Sequence, residues 1–298
     1  MASSRQERSA FEEDRMILDF HTHTFPDAIS KKIVAQLASS ARTRYYTDAS
    51  RAALFASMKE AGIDYALNLP VFTRPDQVVK INRDLLKDQE AMLERHYLTL
   101  GGMHPDFEGY REELRFLKAH GIPGIKLHPA NQAVDLDDPR MLRIIEAASE
   151  LDMIVVIHAG FDPMHPQRNY ATIPMILRVI GEIHPPRFVL AHLGGFDNWA
   201  AVEKELCGAP VFLDTALAFS RVFVSLDGQG HPVYSRPIED EAFVRLVRRH
   251  GVERVLFGTD SPWADQRACV KSMQRLPMTD AEKARILWQN AADLLHIV

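Results

Sequence analysis

The stretch Leu151-Asp152-Met153-Ile154-Val155-Val156-Ile157-His158 decides the fold. Its apolar run from Met153 to Ile157 has no polar interruption and ends on an ionisable side chain. A strand with one wet face alternates apolar and polar residues, whereas an unbroken run rich in β-branched residues suits a parallel strand covered on both faces. Residues 140–151 lead into it, with Met141, Ile144, Ile145 and Ala148 at helical spacing. A helix that ends where a buried parallel strand begins is the unit of α/β architecture.

Outward from this run the unit recurs. Strands are expected at residues 16–24, 65–72, 97–103, 124–128, 153–159, 188–193, 211–215 and 255–259. Helical patterns at 110–120 and 240–250 stop at Gly121 and Gly251, and one at 202–207 stops at Gly208, as helices ending on a left-handed glycine do. A last helix, 280–295, opens with Thr279 and has Glu282 three residues on, the pattern of a capping box. Strands alternating with helices in this way predict a single (β/α)8 barrel, with a doubly wound open sheet as the alternative. No repeat, low-complexity tract or linker divides residues 16–298, which read as one domain. Residues 1–15 read as a frayed or tag-like extension. Longer connections follow the first, fifth and seventh strands, at 40–50, 161–170 and 219–237. The last is long enough for a lid or a subunit contact.

Composition narrows the function. The chain has 298 residues, 46% hydrophobic and 25% charged, with a net charge of −5. That is ordinary globular usage, and no basic patch marks a nucleic-acid partner. No apolar stretch approaches the length of a membrane span. Cys207 and Cys269 form no C-x-x-C pair, so they read as reduced thiols rather than a disulfide or a zinc–cysteine site. The start carries no apolar core of a secretory signal, and the expected location is the cytoplasm.

Chemistry gathers at the strand ends. In Asp19-Phe20-His21-Thr22-His23, alternation puts Asp19, His21 and His23 on one side of the strand, where two imidazoles can hold one metal ion. Lys126 and His128 end the fourth strand in Gly124-Ile125-Lys126-Leu127-His128-Pro129. His158 ends the fifth, His192 the sixth before Leu193-Gly194-Gly195, and Asp260 the eighth in Gly258-Thr259-Asp260-Ser261-Pro262-Trp263. One such histidine is an ordinary packing residue. Several ionisable groups converging on one end of an apolar barrel are costly unless paired or bound to a metal. His104 ends the third strand and either lines the pocket or fixes the turn. Arg168 and Arg221, in the longer connections, are candidates to bind an anionic substrate. Trp263 either walls the pocket or packs on the last helix. His96, His120, His184, His250 and His296 read as structural.

This ordered set resembles the amidohydrolase superfamily, and within it the amidohydrolase-2 or aminocarboxymuconate-semialdehyde-decarboxylase-like branch. The resemblance spans nearly the whole chain. It implies a distorted metal-bearing (β/α)8 barrel, with His21, His23, His158 and Asp260 as ligands. Such a set suits Zn2+, with Mn2+, Fe2+ or cobalt as alternatives. Asp19 would support the ligands from outside. His192 would be an acid–base group in members with one metal and a ligand in members with two, and Asp260 both ligand and base. Lys126 would be a carbamylated bridge between two metals, or an ammonium for a substrate carboxylate, or a structural ion pair; the last two are favoured. His128 is a pocket candidate, although Pro129 turns the chain away.

The function expected first is a metal-dependent hydrolase that uses an activated water on an amide, ester or lactone of a small substrate. Asp260 or His192 would handle the proton. The alternative is a metal-dependent nonoxidative decarboxylase of an aromatic or muconate-like acid, with Lys126 or a loop arginine anchoring the carboxylate. A noncatalytic binding barrel is disfavoured by the filled ligand positions. A nicotinamide or flavin enzyme is disfavoured by the lack of a glycine fingerprint after the first strand. The expected partners are a small-molecule substrate and, by default, a second copy in a homodimer.

Overall fold

The computed structural model describes residues 15–226, 229 and 231–297, so residues 1–14 of the expected extension lie outside it. The strands in chain order are β1 (Leu18–Thr22), β2 (Tyr65–Asn68), β3 (Tyr97–Thr99), β4 (Gly101–Gly102), β5 (Gly124–Leu127), β6 (Ile154–Ile157), β7 (Phe188–Leu190), β8 (Phe212–Asp214), β9 (Phe223–Leu226), β10 (Pro232–Tyr234) and β11 (Val255–Leu256). β9 and β10 form an antiparallel hairpin inside the expected 219–237 connection. The others pair in parallel, in the orders β1-β2-β3 and β4-β5-β6-β7-β8-β11.

Only Leu100 separates β3 from β4, and its N–H donates to the Asn68 carbonyl at 3.0 Å, so the two sheets run into one another. The last strand passage also returns to the first. Phe20 N donates to Phe257 O at 2.8 Å, Asp260 N to His21 O at 2.8 Å and His23 N to Ser261 O at 2.7 Å, with a parallel bridge between Thr22 and Ser261. The architecture is the expected α/β TIM barrel.

β6 shows why its sequence is apolar throughout. Ile154 and Val156 pack with Leu18, Phe20, Leu67, Val189 and Leu256 in one cluster. Val155 and Ile157 pack with Met141, Ile144 and Ile145 of the helix Pro139–Glu150 in another. Alternate side chains thus serve the barrel interior and the layer between strands and helices. Each full burial contributes about 1.5–3 kcal/mol. Trp288, Leu294 and Leu295 join the interior cluster from the C-terminal segment.

The observed strands are shorter than the expected ones, because pairing ends where the chain bends into the connections. The helices Tyr110–Ala119 and Asp240–His250 lie where expected. The capping box is present: Thr279 Oγ1 accepts from Glu282 N at 3.2 Å, and Glu282 Oε2 accepts from Thr279 N at 2.8 Å. The helix behind it is not continuous as expected, since a wider π-type turn over Arg285–Gln289 separates Asp280–Ala284 from Asn290–Leu295. Cys207 and Cys269 are free thiols. No helix among the described residues is long and apolar enough to cross a membrane.

Candidate metal centre

At the carboxyl end of β1, His21 Nδ1 lies 2.8 Å from Asp214 Oδ2, and His23 Nδ1 lies 2.7 Å from the Leu69 carbonyl. A carboxylate and a carbonyl only accept, so each ring carries its hydrogen on Nδ1 and a lone pair on Nε2. The two Nε2 atoms face one another at 3.2 Å. Asp260 Oδ1 completes the group, 2.9 Å from His23 Nε2 and 3.5 Å from His21 Nε2, with no hydrogen-bond donor of its own. Three converging acceptors without a hydrogen among them are unfavourable in a dry barrel unless a cation sits between them. Two imidazoles and a carboxylate fit a divalent transition metal, without choosing among Zn2+, Mn2+ and Fe2+. Burial, with Lys126 nearby, pushes His21 well below the ordinary imidazole range, and a neutral ring is the state a ligand needs. Burial alone would raise the Asp260 carboxyl; His21 and His23 when protonated, together with the Lys126 charge, bring it below its usual range.

The backbone presents these groups in unusual poses. Asp260 has φ 71° and His192 φ 59°, left-handed values that strain most side chains. The Asp260 N–H bonded to His21 O, and the His192 N–H bonded to Asp214 Oδ1 at 3.0 Å, hold both. Asp19 fastens the same corner from outside. Its Oδ1 accepts from His21 N at 3.2 Å and Thr259 N at 2.9 Å; its Oδ2 accepts from Thr259 Oγ1 at 2.6 Å and Gln266 Nε2 at 2.8 Å. Burial raises its carboxyl to about 6 against these bonds.

His158 does not fall in the His21–His23–Asp260 group. Its Nε2 lies in a second buried group with His128 and Asp162. That nitrogen is 3.3 Å from the Phe161 carbonyl and 3.7 Å from Asp162 Oδ2, so it carries the hydrogen. His128 Nδ1 accepts from Asn131 N at 3.3 Å, which puts the His128 hydrogen on Nε2, 3.5 Å from the same Asp162 oxygen. Two N–H groups around one carboxylate make a donor–acceptor cluster rather than a second ligand set. The ligand-competent atom of His158 is therefore Nδ1, which meets His192 Nε2 at 3.0 Å, while His192 Nδ1 holds its hydrogen against Ala216 O at 3.1 Å.

Lys126 is buried at the same end of the barrel, and its Nζ has no hydrogen-bond partner among the described residues. Among the described residues no carboxylate closes an ion pair with it, the structural role considered from sequence. Burial pushes its ammonium down to about 8, opposed by Asp214 and Asp260. These groups open on a cavity of about 390 Å³ whose apolar walls include Phe25, Leu69, Val71, Leu217, Val222 and Trp263.

Lys126, His128 and Trp263 thus line the cavity as expected candidates, and His104, Arg168 and Arg221 do not. His104 Nδ1 accepts from Asp106 N at 3.2 Å and fixes the turn. Arg168 pairs with Asp135 and lies 4.9 Å from the Tyr170 ring centre. Arg221 lies 5.7 Å from the Tyr234 ring centre on the surface. Sequence reading passed over Asp162 and Asp214. Asp214 follows Val211-Phe212-Leu213, the same pattern of an apolar run ending on an ionisable residue that marked the other strand ends.

A parallel α/β barrel with histidines and carboxylates gathered at the carboxyl ends of its strands defines a class of metal-binding enzyme. The chain belongs to the amidohydrolase family, whose Amidohydro_2 model, described as amidohydrolase, matches residues 18–297. A search of curated proteins gave no match. Among solved structures it is similar to 5-carboxyvanillate decarboxylase from Sphingomonas paucimobilis, at 16% identity and TM-score 0.64, covering 95% of this chain and 100% of that one. It is similar to a dihydroxybenzoic acid decarboxylase from Polaromonas sp. JS666 with bound manganese and 2-nitroresorcinol, at 14% identity and TM-score 0.68, covering 95% and 97%. An uncharacterized TIM-barrel protein from Bordetella bronchiseptica matches at 17% identity and TM-score 0.68, covering 94% and 98%. At such identities the likeness shows the fold.

Proposed function

We propose that this chain is a metal-dependent nonoxidative decarboxylase of a small aromatic or muconate-like acid. The observation that carries the reading is the buried, unpartnered Lys126 ammonium in a largely apolar cavity that no arginine lines among the described residues. One cation in an apolar slot suits a flat acid, and the similar structures named as decarboxylases support the reading over the hydrolase expected first.

His21, His23 and Asp260 would hold the metal, with His158 Nδ1 as the further candidate. A bound divalent ion would supply a Lewis acid that orients the substrate's oxygens and stabilises negative charge. Lys126 draws the carboxylate out of water and fixes the acid's orientation. The walls at Leu69, Val71 and Trp263 keep the ring dry, which favours loss of charge from the carboxylate. The carbon–carboxylate bond breaks, its electron pair stays on the substrate carbon, carbon dioxide leaves, and that carbon takes a proton. His192 is the proton carrier: Nδ1 is held by Ala216, so Nε2 is the atom that gains and releases a proton.

Metal-loaded protein, offered a panel of aromatic and unsaturated carboxylic acids without oxygen or redox cofactor, should release carbon dioxide from at least one. Hydrolysis of amides, esters or lactones with no carbon dioxide from any acid would return the function to a hydrolase.

A further inference from the structure

Asp214 is fully buried and uses both carboxylate oxygens. Oδ2 accepts from His21 Nδ1 at 2.8 Å, and Oδ1 accepts from the backbone N–H groups of His192 and Ala216, each at 3.0 Å. One side chain therefore touches an imidazole of the metal centre and the strained backbone of the histidine at the end of β7. We propose that Asp214 is a positioning residue whose single carboxylate sets the tautomer of His21 and the pose of His192. The proposal rests on reading His21, His23 and Asp260 as a metal centre.

The division of labour between the two oxygens says what an amide would do. In Asp214→Asn the backbone N–H groups of His192 and Ala216 remain donors, so the amide oxygen must take the Oδ1 place. The amide NH2 then takes the Oδ2 place, facing His21 Nδ1. A donor there requires a lone pair on Nδ1, which moves the ring hydrogen to Nε2. Nε2 is the atom that faces His23 and Asp260. A nearly isosteric change thus closes the lone pair that a cation needs. Asp214→Ala is milder at this atom. It removes the acceptor without putting a donor in its place, so the ring hydrogen is free to sit on either nitrogen and Nε2 is open for part of the time.

The test uses the full chain, stripped of metal and titrated with Mn2+ and with Zn2+ against a chelating dye. Nitrogen–proton correlation spectra of the imidazoles are recorded in parallel. The wild type should show His21 with its hydrogen on Nδ1, and Asp214→Asn with it on Nε2. Asp214→Asn should bind metal ~10- to 100-fold more weakly, with Asp214→Ala between it and the wild type. A role in packing alone would lower the melting temperature without moving the tautomer or the affinity of folded protein. Wild-type His21 with its hydrogen on Nε2 would overturn the proposal, even if no variant folds. So would affinity in folded Asp214→Asn within twofold of wild type. A wild type that binds neither metal, yet shows the Nδ1 tautomer, would remove the metal centre while leaving Asp214 in control of His21.

Discussion

The Nε2 atoms of His21 and His23 lie 3.2 Å apart with no hydrogen between them, because Asp214 and the Leu69 carbonyl hold each ring's hydrogen on Nδ1. Two lone pairs aimed at one another repel, and Asp260 adds a negative charge to the same point. The folded chain is thus tense at this corner until a cation relieves it.

Metal should therefore stabilise the fold. A divalent ion at a hundredfold over its Kd is expected to add about 2.7 kcal/mol. Scanning calorimetry with and without a chelator measures this, and elemental analysis should find bound transition metal. His23→Gln should lose both the ion and the shift; an unchanged melting temperature on chelation would count against the centre.

Lys126 is charged below about 8 and neutral above it. Binding of a carboxylate inhibitor should weaken up to tenfold per pH unit above that value, and in Lys126→Met the binding should be weak and independent of pH there. Stability carries the opposite sign. The folded value lies below the ordinary 10.5, so the buried charge opposes folding in full below about 8, and the opposition fades between about 8 and 10.5. Lys126→Met should accordingly be more resistant to urea than wild type at pH 7, and a loss of stability there would contradict the burial argument.

Asp19 accepts four hydrogen bonds from donors on three segments. Asp19→Asn places an amide NH2 against one or two of them. Denaturant unfolding at pH 7 should show a loss of about 1–3 kcal/mol, the usual result of a buried donor without its partner. A neutral outcome would mean that the corner re-forms around the amide.

Val71→Trp should fill part of the cavity that Val71 lines while leaving every proposed metal ligand in the sequence. Activity on aromatic acids is expected to fall at least tenfold while metal content stays at the wild-type level. Equal activity would place the substrate elsewhere.

Much of this was legible from residue order. Apolar runs ending on His21, His158, His192 and Asp260 predict strands whose ends share one face, and the structure brings them to one end of one barrel. What the chain order does not encode is which side-chain atoms meet. His158 belongs by sequence pattern with His21 and His23, yet its Nε2 turns to Asp162 and His128 because the Phe161 carbonyl captures it. Asp214 shares the strand-end pattern, but its role depends on a contact with His21, 193 positions away in the chain. Arg168 and Arg221 illustrate the converse: a loop arginine near a strand end satisfies itself on the nearest carboxylate or aromatic ring, and sequence proximity says nothing of where the guanidinium lands.

The hydrogen bonds joining β1 to the last strand passage have a consequence for how the protein is made. Thr259 and Asp19 are 240 positions apart in the chain, yet their contact aligns the corner where Asp260 meets the two histidines. A chain emerging from the ribosome exposes His21 and His23 early and has no Asp260 to set against them until it has grown as far as that residue. Capture of the ion by the full set therefore waits for residue 260, and a chain cut short before it is left with only part of the clasp.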